Sequence, residues 1–131
     1  MERIEERLAV AHSALGTLEE LTGLGPEVTE VERDATIKRF EYTFETVWKA
    51  AQIYLRQMEG LDVGSPKGVI RASLSIGLLT ENEAKLGLEM SDDRNLAVHT
   101  YNRDLAKAIF DRIPGYAKLM GKWLEAMDEM L

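Results

Sequence analysis

Apolar residues recur along this chain at steps of three and four, the spacing of one face of an α-helix, and no stretch alternates as a half-buried strand would. In the first segment Ile4, Leu8, Ala11, Leu15 and Leu18 form one stripe, which Gly23, Gly25 and Pro26 then terminate. A longer helix follows, in which Ile37, Phe40, Phe44, Val47, Ala51, Tyr54 and Met58 hold a heptad seam. Such a seam predicts packing nearly parallel or antiparallel to its neighbours over most of the length. The helix should run from about Thr29 to Glu59 and end at Gly60.

Ser65 followed by Pro66 reads as an N-cap with proline at the first helical position, opening a helix that turns Ile70, Leu74 and Leu78 inward and falters at Gly77. Thr80 with Glu83 forms a capping box for a short helix. Gly87 within it is a poor helix former, so the passage into the following RNLAVHTY segment should be irregular. A final helix begins near Asn102 or Arg103 and carries Leu105, Ile109, Ile113, Tyr116, Met120, Trp123 and Met127 on one side. Pro114 removes one backbone donor there and should kink the helix without ending it, because the apolar pattern resumes in phase. The expectation is an all-α, up-and-down bundle of four principal helices with one or two extra short ones, a single domain over residues 1–131. Met58, Met90, Met120, Met127 and Met130 read as core or interface filler, and Trp48 and Trp123 as packing anchors.

Composition narrows the function. The 131 residues suffice for one core, and the absence of cysteine excludes disulfides, thiol catalysis and cysteine metal sites. The N-terminus is charged where a signal peptide would be apolar, and nothing approaches the roughly 20 apolar residues of a membrane span. These features lead us to expect a cytoplasmic protein with no membrane association. Only three Asn and two Gln occur, a depletion that hints at a heat-adapted source. A net charge of −7 argues against a general nucleic-acid binder. That charge is uneven, however. Residues 1–35 carry nine acidic and three basic side chains, leaving fourteen acidic against thirteen basic beyond them. Glu2, Glu5, Glu6, Glu19 and Glu20 read as the solvated face of the first helix. The region of Arg94, Arg103, Lys107 and Arg112 is not hostile to an anion.

The candidate chemistry lies in Asp92 to Asn102, DDRNLAVHTYN, which brings Arg94, His99 and Tyr101 within eight residues. Arginine binds phosphate oxygens bidentately, and histidine changes protonation near neutral pH. His99 would take a proton from a ribose 2′-hydroxyl while Arg94 holds the phosphate and the charge of the transition state. Tyr101 would hold the phosphate, donate a proton, or serve as a hydroxyl that another enzyme modifies. Asp92 and Asn95 are supporting candidates. On a straight helix five residues advance about 140° beyond a full turn, so Arg94 and His99 diverge unless the helix ends near His99, the arginine reaches far, or a second chain completes the site. No HExxH, no paired Glu-x-x-His, no glycine-rich phosphate loop and no serine-nucleophile arrangement occurs, so neither a metal nor a cofactor is expected. Glu41 and Glu45 share a face and should meet solvent or a local Lys38, Arg39 or Lys49.

The segment MSDDRNLAVHTYN, Met90 to Asn102, resembles the Arg-x4-His-x-Tyr signature of the HEPN superfamily, in particular its nucleotidyltransferase substrate-binding group and the related HepT-type toxins. IKRFEYTFETVWKA, Ile37 to Ala50, resembles the long-helix signature of the same group, and IPGYAKLM matches in kind. The resemblance implies a bundle that forms a homodimer or higher homo-oligomer and binds a minimal nucleotidyltransferase encoded nearby. In toxin members the dimer is a metal-independent endoribonuclease, neutralised when the partner attaches nucleotides to the motif tyrosine. It would make Arg94 and His99 catalytic, Asn95 the polar residue after the arginine, and Tyr101 the modified residue. The leading expectation is a ribonuclease toxin acting on RNA, which the intact Arg, His and Tyr favour; the alternative is a non-catalytic subunit binding substrate or nucleotide for the nucleotidyltransferase, which the acidic charge favours.

Overall fold

The computed structural model describes residues 3–131, which are helical with no strand among them. Glu2 lies outside the described residues. Five helices follow one another: α1 (Ile4–Glu19), α2 (Glu30–Glu59), α3 (Pro66–Ser75), α4 (Glu81–Leu96) and α5 (Arg103–Glu129), with a 3₁₀ turn (Ala97–His99) between the last two.

The helix starts follow from their caps. Thr29 accepts from the Glu32 amide at 3.0 Å while its own amide donates to the Glu32 carboxylate at 2.9 Å. This reciprocal pair holds Glu32 below the usual carboxylate range, first through the backbone bond and then through the hydroxyl. Thr80 and Glu83 repeat the device at 3.2 and 2.8 Å, Ser65 caps α3 ahead of Pro66, and Asn102 caps α5. α2 stops at Gly60, whose positive φ of 66° lets Leu61 bond back to the Leu55 carbonyl at 3.0 Å. Gly77, with φ 84°, ends α3 in the same way through Leu78 and the Ser73 carbonyl.

Cross-helix pairings give the directions. Glu20 meets Arg39 and the Ala14 carbonyl meets Thr43, so α1 and α2 run antiparallel. His12 reaches Asp128, and Leu15 packs beside Gly121, so α1 and α5 are also antiparallel. Asp93 of α4 meets Arg112 and Tyr116, and Glu30 of α2 reaches Arg103 at the start of α5 while Phe40 stacks on Tyr116. α1, α2, α4 and α5 therefore alternate in direction, and α3 is the extra short element, packed on α4 through Ile70 against Gly87. Helices of this length close a bundle when their stripes face one another.

The core contains the α1 stripe, the α2 seam as far as Tyr54, and the inward side of α5. Phe40 stacks on Tyr116 at 5.6 Å between centroids and lies 6.4 Å from Phe44. Trp123 is fully buried, and its indole N–H donates to the Ser73 hydroxyl at 3.2 Å. Two inward expectations differ. Met58 lies in the last turn of α2, past the covering helices, and Leu74 faces outward on α3, so both are exposed. Met130 is exposed at the end of α5, whereas Met90, Met120 and Met127 are core. The helix opened by Thr80 is 16 residues long rather than short, because Gly87 is buried against Ile70 and serves close packing instead of breaking the helix. α5 runs through Pro114 unbroken.

Candidate functional site

The α4 C-terminus delivers the motif. α4 is fixed in rotation by Asp93, a carboxylate on a residue only 5% exposed. Arg112 donates to it from Nε at 2.7 Å and from Nη2 at 2.9 Å, and the Tyr116 hydroxyl donates to the same group. Burial first, and then the bond to Asp93, push the Tyr116 phenol well above its ordinary range, while the Asp93 bond raises Arg112 further. This bidentate lock sets which side of α4 carries the neighbouring Arg94.

Arg94 lies half-buried against α2, with Nη2 at 3.6 Å from Glu45 Oε2. Its Nε is buried without a hydrogen-bond partner among the described residues. Glu45 also receives the Trp48 indole N–H at 3.1 Å and Lys49 at 3.5 Å. The local Lys49 partner foreseen for Glu45 is therefore present, and Arg94 joins it from another helix. Asp92, next along α4, pairs with Lys67 of α3 at 2.6 Å and so ties α3 to α4. Asn95 is exposed.

The passage into RNLAVHTY, expected to be irregular after Gly87, is regular helix through Leu96; the 3₁₀ turn follows inside the motif and carries the chain to His99. The Asn102 amide bonds to the His99 carbonyl at 3.0 Å, and the Asn102 side chain then caps α5 at Leu105 at 3.1 Å. This tight turn projects Tyr101, which is 81% exposed. Its hydroxyl is hydrogen-bonded to His99 Nδ1 at 3.0 Å, and the rings meet edge to face at 5.5 Å. A histidine paired with an exposed phenol through one ring nitrogen keeps its other nitrogen for a second partner. Leu96 and Val98 are exposed beside it.

The structure thus brings His99 and Tyr101 together and places Arg94 on Glu45; among the described residues no hydrogen bond or ion pair joins Arg94 to His99. Sequence reasoning did not find the Asp93–Arg112–Tyr116 lock. The signal that could have pointed to it was the acidic residue directly before Arg94, together with an arginine and a tyrosine four apart on α5. A cavity of about 270 Å³ beside the lock is lined by Glu89, Asp92, Asp93, Arg112 and Tyr116, a mostly anionic wall unsuited to phosphate. Among the described residues no group of three or more His, Asp or Glu side chains is placed to hold a metal ion, and no helix is long and apolar enough to cross a membrane.

A similar fold occurs among solved structures of other proteins. The chain belongs to the nucleotidyltransferase substrate binding protein like family, whose model matches residues 6–129. Among solved structures, a crystal structure of a Thermus thermophilus protein is similar at 57% identity and a TM-score of 0.87, over 89% of this chain and 98% of that one. A Haemophilus influenzae protein, described as having the fold of a substrate binding domain of a nucleotidyltransferase, aligns at 23% identity and a TM-score of 0.79, over 92% of this chain and 98% of that one. At that identity the second likeness shows the shared fold. No curated protein matches the chain.

Proposed function

We propose that this chain is a non-catalytic partner subunit that binds substrate for a nucleotidyltransferase, docking through the Leu96–Tyr101 end of the bundle. The reading is supported by the family match over residues 6–129 and carried by one structural observation. A tyrosine 81% exposed, flanked by exposed Leu96 and Val98, is held out at a tight turn with its hydroxyl on His99. Exposed aromatic groups with an apolar rim are characteristic of protein-docking surfaces. The test is co-expression with a minimal nucleotidyltransferase of the same genome. Wild type should co-purify as a complex, whereas Tyr101→Glu, which puts a charge on the rim, should not. Retention of the complex by that variant would refute docking at this end.

A second reading is favoured by the presence of Arg94, His99 and Tyr101 together: a HEPN-type ribonuclease toxin, catalytic only as a homodimer that brings two motif ends to one cleft. The His99–Tyr101 bond also suits nucleotide attachment by the partner enzyme. The phenol oxygen would attack the α-phosphorus of a nucleoside triphosphate, the bond to pyrophosphate would break, and the phenolic proton would pass to His99. On this reading purified chain cuts RNA without added metal, and His99→Ala and Arg94→Ala abolish cutting. If purified chain leaves RNA intact, the non-catalytic reading stands.

A further inference from the structure

A different region carries a site of its own. The connection between α1 and α2 folds over the N-terminal half of α5, leaving a cavity of about 470 Å³. That volume falls within the roughly 300–1,000 Å³ of small-molecule sites. Arg33, from the first turns of α2, lines it with a side chain only 14% exposed. Its Nε and Nη2 are buried without a hydrogen-bond partner among the described residues. The nearest carboxylate oxygens, of Asp34 and Glu30, stand at 3.8 and 3.7 Å, beyond hydrogen-bonding distance. A guanidinium so desolvated is a strong donor fork for a planar or tetrahedral anion.

The remaining wall narrows the chemistry. Lys107 adds a second cation and makes no ion pair among the described residues. Leu24, Pro26, Val28 and Phe110 give an apolar wall that includes one aromatic ring. Asp111 brings a carboxylate that an anion would avoid but a hydroxyl or amine would bond. In the same turn Pro114 has no N–H to give the Phe110 carbonyl, which therefore lacks its helical donor. One cationic end, one apolar wall and spare acceptors together describe a ligand with a phosphate, a flat apolar ring and polar hydrogens.

We propose that this cavity binds a nucleoside phosphate, with its phosphate on Arg33 and Lys107, its base against Phe110 and the loop side chains, and a ribose or base donor on Asp111. The proposal rests on the substrate-binding reading above and gives that reading a location, between the α1–α2 connection and the α5 residues from Lys107 to Asp111. The test is an NMR titration of the full purified chain with AMP, adenosine and inorganic phosphate in turn. AMP should shift the resonances of residues 24–28 and 107–111 and should bind at least about tenfold more tightly than adenosine or phosphate alone. Arg33→Gln should weaken AMP by about tenfold to a hundredfold, the range for losing charge-assisted bonds. If that variant does not fold, Lys107→Glu, on the exposed side of α5, decides instead and should weaken AMP by at least about tenfold. Shifts clustering elsewhere, equal binding of phosphate and AMP, or an affinity unchanged within about twofold in the deciding variant would overturn the site. Absence of AMP binding with an intact nucleotidyltransferase complex would remove this site and leave the docking reading in place.

Discussion

Replacing Asp93 by alanine tests how the motif helix is held. The substitution removes the acceptor for two bonds from Arg112, at 2.7 and 2.9 Å, and for the Tyr116 hydroxyl. Tyr116 is only 1% exposed, so its hydroxyl is left buried and unpaired at a cost of about 1–3 kcal/mol. The Arg112 side chain is 47% exposed, so water recovers much of what the fork gave, and its discounted share is about 1 kcal/mol. The expected loss is therefore about 2–4 kcal/mol, which for a domain of this size lowers the thermal midpoint by about 10 °C. Urea and thermal unfolding followed by far-UV circular dichroism at neutral pH would measure it, with an unchanged urea slope showing that the denatured state is the same. The lock also implies non-additivity. Tyr116→Phe alone should cost about 1 kcal/mol, yet be nearly neutral or stabilising in the Asp93→Ala background, where the orphaned hydroxyl is itself the problem. A single-variant loss below about 0.5 kcal/mol, or strict additivity, would refute the lock.

Gly87→Ala gains helix propensity, but its new Cβ would stand 3.2 Å from Cγ2 of fully buried Ile70; it should lower stability by about 1 kcal/mol in urea unfolding. Tyr54 and Tyr116 both have raised phenol pKa values, chiefly through burial, so the folded state keeps protons that the unfolded state sheds; their stabilising contribution is complete below about pH 10 and declines above it, and alkaline unfolding curves should flatten in Tyr116→Phe. Arg94→Ala removes a 3.6 Å pair on half-exposed side chains and should cost less than about 1 kcal/mol by calorimetry, so any functional defect it shows is not unfolding.

Local rules made most of the fold legible. Caps at Thr29, Ser65 and Thr80 and the stop at Gly60 are short-range hydrogen-bond devices written within a few residues, and each lies where its residues predict. The seam of α2 fixes its buried face because a helix of that length has a single apolar stripe. Periodicity failed at Met58, where cover runs out past the neighbouring helices, and at Leu74, because α3 turns Val69, Ile70 and Ser73 inward and leaves Leu74 on its outer side. Gly87 was misleading for a related reason: its missing side chain is a packing feature of α3, invisible along α4 alone. The candidate site was legible only as a motif, Arg94 to Tyr101, and not as the 3₁₀ break that follows Leu96. Its anchors were not, because Asp93 meets Arg112 across 19 residues of sequence and Arg94 meets Glu45 on a different helix. The Arg94–Glu45 pairing leaves no trace in spacing, and the four-residue step from Arg112 to Tyr116 points to the lock only once α4 is known to pack on α5.

Whether this chain serves a nucleotidyltransferase without itself cutting RNA is decided by native mass spectrometry of the two proteins co-expressed, run beside an RNA-cleavage assay on the chain alone. A stoichiometric complex that Tyr101→Glu abolishes, with RNA left intact by the isolated chain, is the expected result. No complex, together with RNA cut by wild type and spared by His99→Ala, would contradict it.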